Sequence, residues 1–123
     1  MITYSQREVF KNTDMKYFEE AAGLVARMPD FDNELRELRC HEVAQVVGSL
    51  LGLPVRDGKY EIGCEHSWLV LPTGNILDVY AVGRHPPVQL VAVVLTMPVR
   101  YREMDIGLKI RHQVVEQLLR DLR

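Results

Sequence analysis

The chain has 123 residues, 47% of them hydrophobic and 26% charged, which is enough for one domain over residues 1–123 with a sizeable core and carries no disorder signature. A net charge of -2 and a pI near 6.1 supply no basic face, which argues against nucleic acid and against an anionic membrane as partners. Two cysteines, Cys40 and Cys64, are too few for a disulfide scaffold. There is also no signal-peptide pattern in MITYSQREVF and no apolar run near the ~20 residues of a membrane span, so the expected setting is cytoplasmic or otherwise reducing.

Residues 1–12 give no assignable pattern. Thr13 or Asp14 then suits the cap of a helix through MKYFEEAAGLVARM, where Tyr17, Phe18, Ala21, Leu24, Val25 and Met28 recur at helical spacing. Pro29-Asp30 ends it. A second helical pattern opens near Asp32 or Asn33 and runs to Gly52-Leu53-Pro54. Leu35 and Leu38 do not phase with the stripe of Val43, Val46, Val47, Leu50 and Leu51. A turn near Arg39 therefore divides this pattern into two pieces and leaves Cys40 at or near the start of the second.

After Pro54 the period changes. Arg56-Asp57-Gly58-Lys59 reads as a turn. Tyr60, Ile62, Cys64, His66, Trp68 and Val70 share one face if residues 60–70 form one strand, with a bulge available at Gly63. Leu71 to Asn75 is a hairpin connection and Ile76 to Val82 the return strand. Gly83 to Pro87 is an extended link. Val88 to Leu95 is a continuous apolar run of the kind covered on both faces, and Met97 to Arg102 is a further strand that Pro98 directs to an edge. Asp105 suits the cap of a last helix, with Ile106, Ile110, Val114, Leu118 and Leu122 at every fourth residue. The expected fold class is α+β: N-terminal helices packed on a small antiparallel sheet, then a C-terminal helix.

Two polar residues stand out in these apolar strands. His66 adjoins Ser67-Trp68, and Asp78 lies inside Ile76-Leu77-Asp78-Val79-Tyr80, where a lone buried carboxylate costs several kcal/mol unless paired. The turn decides whether they meet. With a three-residue loop Pro72-Thr73-Gly74 and Gly74 left-handed, Leu71 opposes Asn75, Trp68 opposes Asp78, and His66 and Asp78 become diagonal neighbours on one face. A two-residue Thr73-Gly74 turn puts them on opposite faces. Proline early and glycine third favour the odd loop.

Cys40 is the best nucleophile for such a pair. Ser67 points away from His66 along the same strand, and Ser49 sits inside a helix. A cysteine at a helix N-terminus feels the positive end of the dipole, which favours thiolate. A neighbouring imidazolium lowers its pKa further, and a carboxylate behind the imidazole orients the ring.

Cys40 followed by Val43-Ala44, the helix end Leu50-Leu51-Gly52-Leu53-Pro54-Val55-Arg56, and then Gly58-Lys59-Tyr60, His66-Ser67-Trp68 and Gly74-Asn75-Ile76-Leu77-Asp78 together resemble the transglutaminase-like proteins of the wider papain-like group of cysteine peptidases and acyltransferases. The resemblance spans about residues 38 to 80. It implies a papain-like or transglutaminase-like core and a triad of Cys40 as nucleophile, His66 as general base and Asp78 as the orienting residue. It also implies a thioester acyl-enzyme, a protein, peptide or small amide substrate, and no cofactor. Leu38-Arg39 before the cysteine and His41 after it depart from the small and aromatic residues common there, so only the Cys40 backbone N–H is assigned to an oxyanion hole.

Plainer readings stand beside this one. Cys40 is equally a buried helix residue by type, His66 a half-buried strand histidine and Asp78 a solvated aspartate near a turn. Trp68 is core or the wall of a substrate pocket. Cys64 reads as a packing residue, His41 and His85 as surface residues, and the Glu/Arg run 34–42 as a solvated helix face. Cys40, His41, Cys64 and His66 are also a zinc-ligand set by type, though not at the usual intervals. A non-catalytic binding module on the same fold is the remaining alternative.

Overall fold

A computed structural model describes residues 12–29, 37–60, 64–80, 92–94 and 101–123. Among these residues three helices, α1 (Asn12–Ala26), α2 (Cys40–Leu51) and α3 (His112–Leu122), accompany five strands: β1 (Val55–Tyr60), β2 (Cys64–Val70), β3 (Ile76–Asp78), β4 (Ala92–Val94) and β5 (Tyr101–Glu103). The strands form one sheet in the order β4-β3-β2-β1-β5, every neighbouring pair antiparallel. The fold is α+β. Among the described residues no helix is long and apolar enough to cross a membrane.

Helix α2 is the hub, packing against β2, α1 and α3. Its Val43, Val46 and Val47 meet Ala21 and Val25 of α1, Leu69 and Leu77 of the sheet, and Val114, Leu118 and Leu122 of α3 in one buried cluster. The four-residue repeat of α3 and the stripe of α2 are thus the faces that close the core, as their spacing requires. Burying such side chains stabilises by roughly 1.5–3 kcal/mol each.

Several expectations change on folding. Arg56 to Lys59 is no turn but the body of β1, because Gly58 lets β5 lie close: a Cβ there would stand 2.0 Å from the Arg102 carbonyl oxygen. Residues 60–70 do not make one strand: β1 ends at Tyr60 and pairs antiparallel with β2, Tyr60 opposite Cys64. The last helix starts at His112 rather than after Asp105. The Asp105 carboxylate accepts from the Gly107 N–H at 2.9 Å, a local turn that competes with helix initiation. Asp14 lies inside the first turn of α1 and its side chain is committed elsewhere. β5 lies at a sheet edge, as expected of its segment. The leader 1–11, the first piece of the second helical pattern at 32–36, Gly63, the end of the return strand, the link 83–87 with His85, and Pro98 lie outside the described residues.

Candidate active site

The hairpin loop has the odd length. Leu71 N–H donates to the Asn75 carbonyl at 2.8 Å, and Gly74 N–H donates to the Leu71 carbonyl at 2.8 Å. Gly74 has φ 88, the left-handed region that a side chain disfavours. Leu69 opposes Leu77 and Val70 opposes Ile76, which continues to Trp68 opposite Asp78. Asp14 holds this loop from α1. Its fully buried carboxylate accepts from Thr73 Oγ1 at 2.8 Å and 3.1 Å and from Asn75 Nδ2 at 2.9 Å. A charge-assisted pair of bonds between a helix and a turn fixes a register that the strands alone share over few residues.

That register brings His66 and Asp78 together. His66 Nε2 lies 3.0 Å from Asp78 Oδ1 and 2.9 Å from Oδ2, and both residues are buried. Asp78 is fully occupied. Its Oδ1 also accepts from the Tyr80 N–H at 3.1 Å, and its Oδ2 from the Tyr101 hydroxyl at 2.9 Å. With Nε2 turned to the carboxylate, Nδ1 is the ring nitrogen of His66 left for Cys40, which is among the groups that raise the His66 pKa. Trp68 stacks beside the imidazole, ring centroids 6.3 Å apart, and Tyr101 packs edge-on against Trp68 at 5.2 Å. Trp68 is buried. It therefore backs His66 rather than lining an open pocket.

Cys40 is the first residue of α2, and its Arg39 cap residue is extended and makes no side-chain capping bond. Burial of the thiol opposes ionisation, but hydrogen bonds from His41 and His66, and the charge of both rings, outweigh it and bring the Cys40 pKa down to about 6. Burial likewise opposes charge on His66. The Asp78 hydrogen bond, with Cys40 adding to it, overrides burial and pushes the imidazole up to about 9. Both shifts favour the thiolate and the imidazolium. Cys64, by contrast, is exposed and both cysteines are free.

Two clusters matter that sequence reasoning misread or passed over. His41 is buried, not at the surface, and its Nδ1 lies 2.6 Å from Ser67 Oγ, which in turn donates to Asp57 Oδ1 at 2.5 Å. The clue was in the spacing: Cys40-His41 on the helix meets His66-Ser67 on the strand residue by residue. Glu42 is fully buried rather than on a solvated face. Its carboxylate receives Arg39 Nη2 at 2.8 Å and Arg111 Nη2 at 2.7 Å. Arg39 also reaches the Lys109 carbonyl at 3.0 Å, and Arg111 the Glu37 carbonyl at 2.9 Å. The carboxylate pKa is lowered, because these two guanidinium groups outweigh its burial. The cluster clamps the start of α2 to the segment before α3 and leaves the buried Glu42 carboxylate paired on both oxygens.

Among the described residues no group of three or more His, Cys, Asp and Glu side chains is arranged to hold a metal ion. Cys40, His41, Cys64 and His66 thus do not form the zinc site that their types allowed. Comparison of the chain with protein-family models, with curated proteins and with solved structures finds no match.

Proposed function

We propose that this protein is a cysteine-dependent hydrolase or acyltransferase built on a papain-like or transglutaminase-like core. In this reading Cys40 is the nucleophile, His66 the acid–base and Asp78 the orienting carboxylate. The observation that carries the reading is a buried pair of His66 Nε2 and the Asp78 carboxylate at 2.9 Å, beside a cysteine at a helix N-terminus whose pKa His66 helps to lower. Those are the roles a triad requires, recognised by geometry rather than by position in the chain.

The chemistry follows from the ionisation. The Cys40 thiolate adds to the carbonyl carbon of an amide or ester and forms a C–S bond and a tetrahedral oxyanion, for which the Cys40 backbone N–H is the assigned donor. The imidazolium of His66 protonates the departing nitrogen or oxygen, and the C–N or C–O bond breaks. Water or an amine then attacks the thioester, its proton passing to the now neutral His66, and the sulfur leaves as thiolate. Asp78 keeps the Nε2–H of His66 directed away from the sulfur throughout. A protein, peptide or small amide is the substrate class, with no cofactor required by any step.

The test is alkylation by a limiting thiol reagent at neutral pH with mass mapping, run beside a panel of peptide, glutamine-amide and ester substrates. Cys40 should label before Cys64, His66→Ala should slow Cys40 labelling by about tenfold or more, and Cys40→Ala should abolish turnover. Equal, slow labelling of the two cysteines, unchanged by His66→Ala, would refute the enzyme reading and leave a binding module on the same fold.

A further inference from the structure

Among the described residues three donors hold the Asp78 carboxylate, and one of them comes from the far edge of the sheet. Oδ1 accepts from the Tyr80 N–H at 3.1 Å, two residues along the same chain. Oδ2 accepts from the Tyr101 hydroxyl at 2.9 Å, although Tyr101 lies on β5 and Asp78 on β3, with β1 and β2 between them. The third donor, His66 Nε2, stands 3.0 Å from Oδ1 and 2.9 Å from Oδ2 and so meets the carboxylate head-on. The Cβ–Cγ torsion of an aspartate is broad by itself. With Oδ1 alone fixed, the carboxylate plane can still swing about that anchor. A second donor on Oδ2 removes the swing.

We propose that Tyr101 is a positioning residue of the Cys40 site, whose hydroxyl sets the plane of the Asp78 carboxylate and through it the aim of the His66 imidazole. The proposal rests on the cysteine reading above. Tyr101 touches no reacting atom and passes no proton. It acts through Asp78 alone, so its loss weakens the site without abolishing it.

The surroundings of the hydroxyl suit this role. The Tyr101 ring is itself fixed, edge-on to Tyr60 at 5.0 Å and to Trp68 at 5.2 Å, so the donor is aimed before the carboxylate meets it. The same two rings flank the imidazole, each with its centroid 6.3 Å away. One aromatic wall thus steadies both ends of the line from Tyr101 through Asp78 to His66. β5 pairs with β1 over three residues, Tyr101 opposite Tyr60. The close approach of the two backbones at Gly58 brings the edge strand near enough for its tyrosine to reach β3. The titratable groups around the imidazole are Cys40 from α2, Tyr60 from β1, Asp78 from β3 and Tyr101 from β5. Because the Tyr101 hydroxyl is bonded to Asp78, a change at His66 on removing that hydroxyl passes through the carboxylate.

The experiment is the titration of His66, followed in 1H–15N spectra of the imidazole between pH 6 and 11, in full chains carrying Tyr101→Phe or, as a control, Tyr60→Phe. Tyr101→Phe keeps the ring and its contacts and removes only the hydroxyl. The direction of the change separates two roles. A donor that only draws charge off Asp78 leaves, when removed, a more basic carboxylate and a higher His66 midpoint. A donor that aims the carboxylate leaves a less well supported imidazolium, and the midpoint should fall by about half a pH unit. Cys40 alkylation below pH 6 should then be about threefold slower in Tyr101→Phe and unchanged in Tyr60→Phe. An unchanged or raised His66 midpoint in Tyr101→Phe overturns the proposal. An equal fall in Tyr60→Phe overturns it too, since the ring wall rather than the hydroxyl would then be the cause. Equal labelling of Cys40 and Cys64 in the wild type tells against the cysteine reading instead, and the His66 titration answers for Tyr101 in either case.

Discussion

Replacing Asp78 by Asn exchanges one oxygen of the carboxylate for an NH2 group with almost no change of shape. The remaining oxygen can still accept from the Tyr80 N–H or the Tyr101 hydroxyl, but the NH2 now faces His66 Nε2 and asks it for a lone pair. The imidazole must then carry its proton on the other nitrogen and is no longer supported as a cation. The rise of His66 from its ordinary 6.5 to about 9 corresponds to about 3 kcal/mol in favour of the charged ring, and most of it disappears with the carboxylate. Because the folded value is raised, this stabilisation is full below about 6.5 and is lost as pH rises through about 9. Urea unfolding should therefore show the Asp78→Asn protein most destabilised relative to wild type near pH 6.5 and least so above pH 9. Cys40 alkylation should lose its rise near pH 6 and acquire one at higher pH. An alkylation profile identical to wild type, or a stability difference that grows above pH 9, would refute the coupling of Cys40, His66 and Asp78.

Asp14→Ala leaves the Thr73 hydroxyl and the Asn75 amide without their buried acceptor and should cost about 2 kcal/mol, seen as a lower urea midpoint with unchanged slope. A neutral result would mean that the hairpin register does not depend on α1. Arg111→Ala removes half of the Glu42 clamp and should cost about 2–3 kcal/mol at neutral pH. Because the Glu42 pKa is depressed in the fold, that contribution is present above about 4.5 and lost as pH falls further, so wild type and variant should converge in acid. Gly58→Ala drives a methyl group into the Arg102 carbonyl, which pushes β5 off β1 at a cost of about 1–3 kcal/mol. It should also detach the Tyr101 hydroxyl from Asp78, visible as a changed Tyr101 ring environment in NMR spectra.

Local chemistry determined much of this molecule before any tertiary contact. The stripes of Val43, Val46 and Val47 and of Val114, Leu118 and Leu122 named the faces that close the core, because helical period is a property of the segment itself. Pro72, Thr73 and Gly74 named an odd loop and with it the meeting of His66 and Asp78, because left-handed backbone is a local preference of glycine. The break before Cys40 was legible as a phase error between Leu38 and Val43. What the sequence left open concerned partners brought from far along the chain. Asp57 looked like a turn residue until Gly58 was seen against β5. Glu42 looked solvated until Arg111, 69 residues away, was found on its carboxylate. His41 looked like a surface residue until Ser67, 26 residues on, was found against its ring. A charged or polar side chain is legible as buried only through the group that pairs with it, and such pairing has no period along the chain. The tertiary structure alone therefore decided that His41 and Glu42, the two residues after Cys40, are buried and paired.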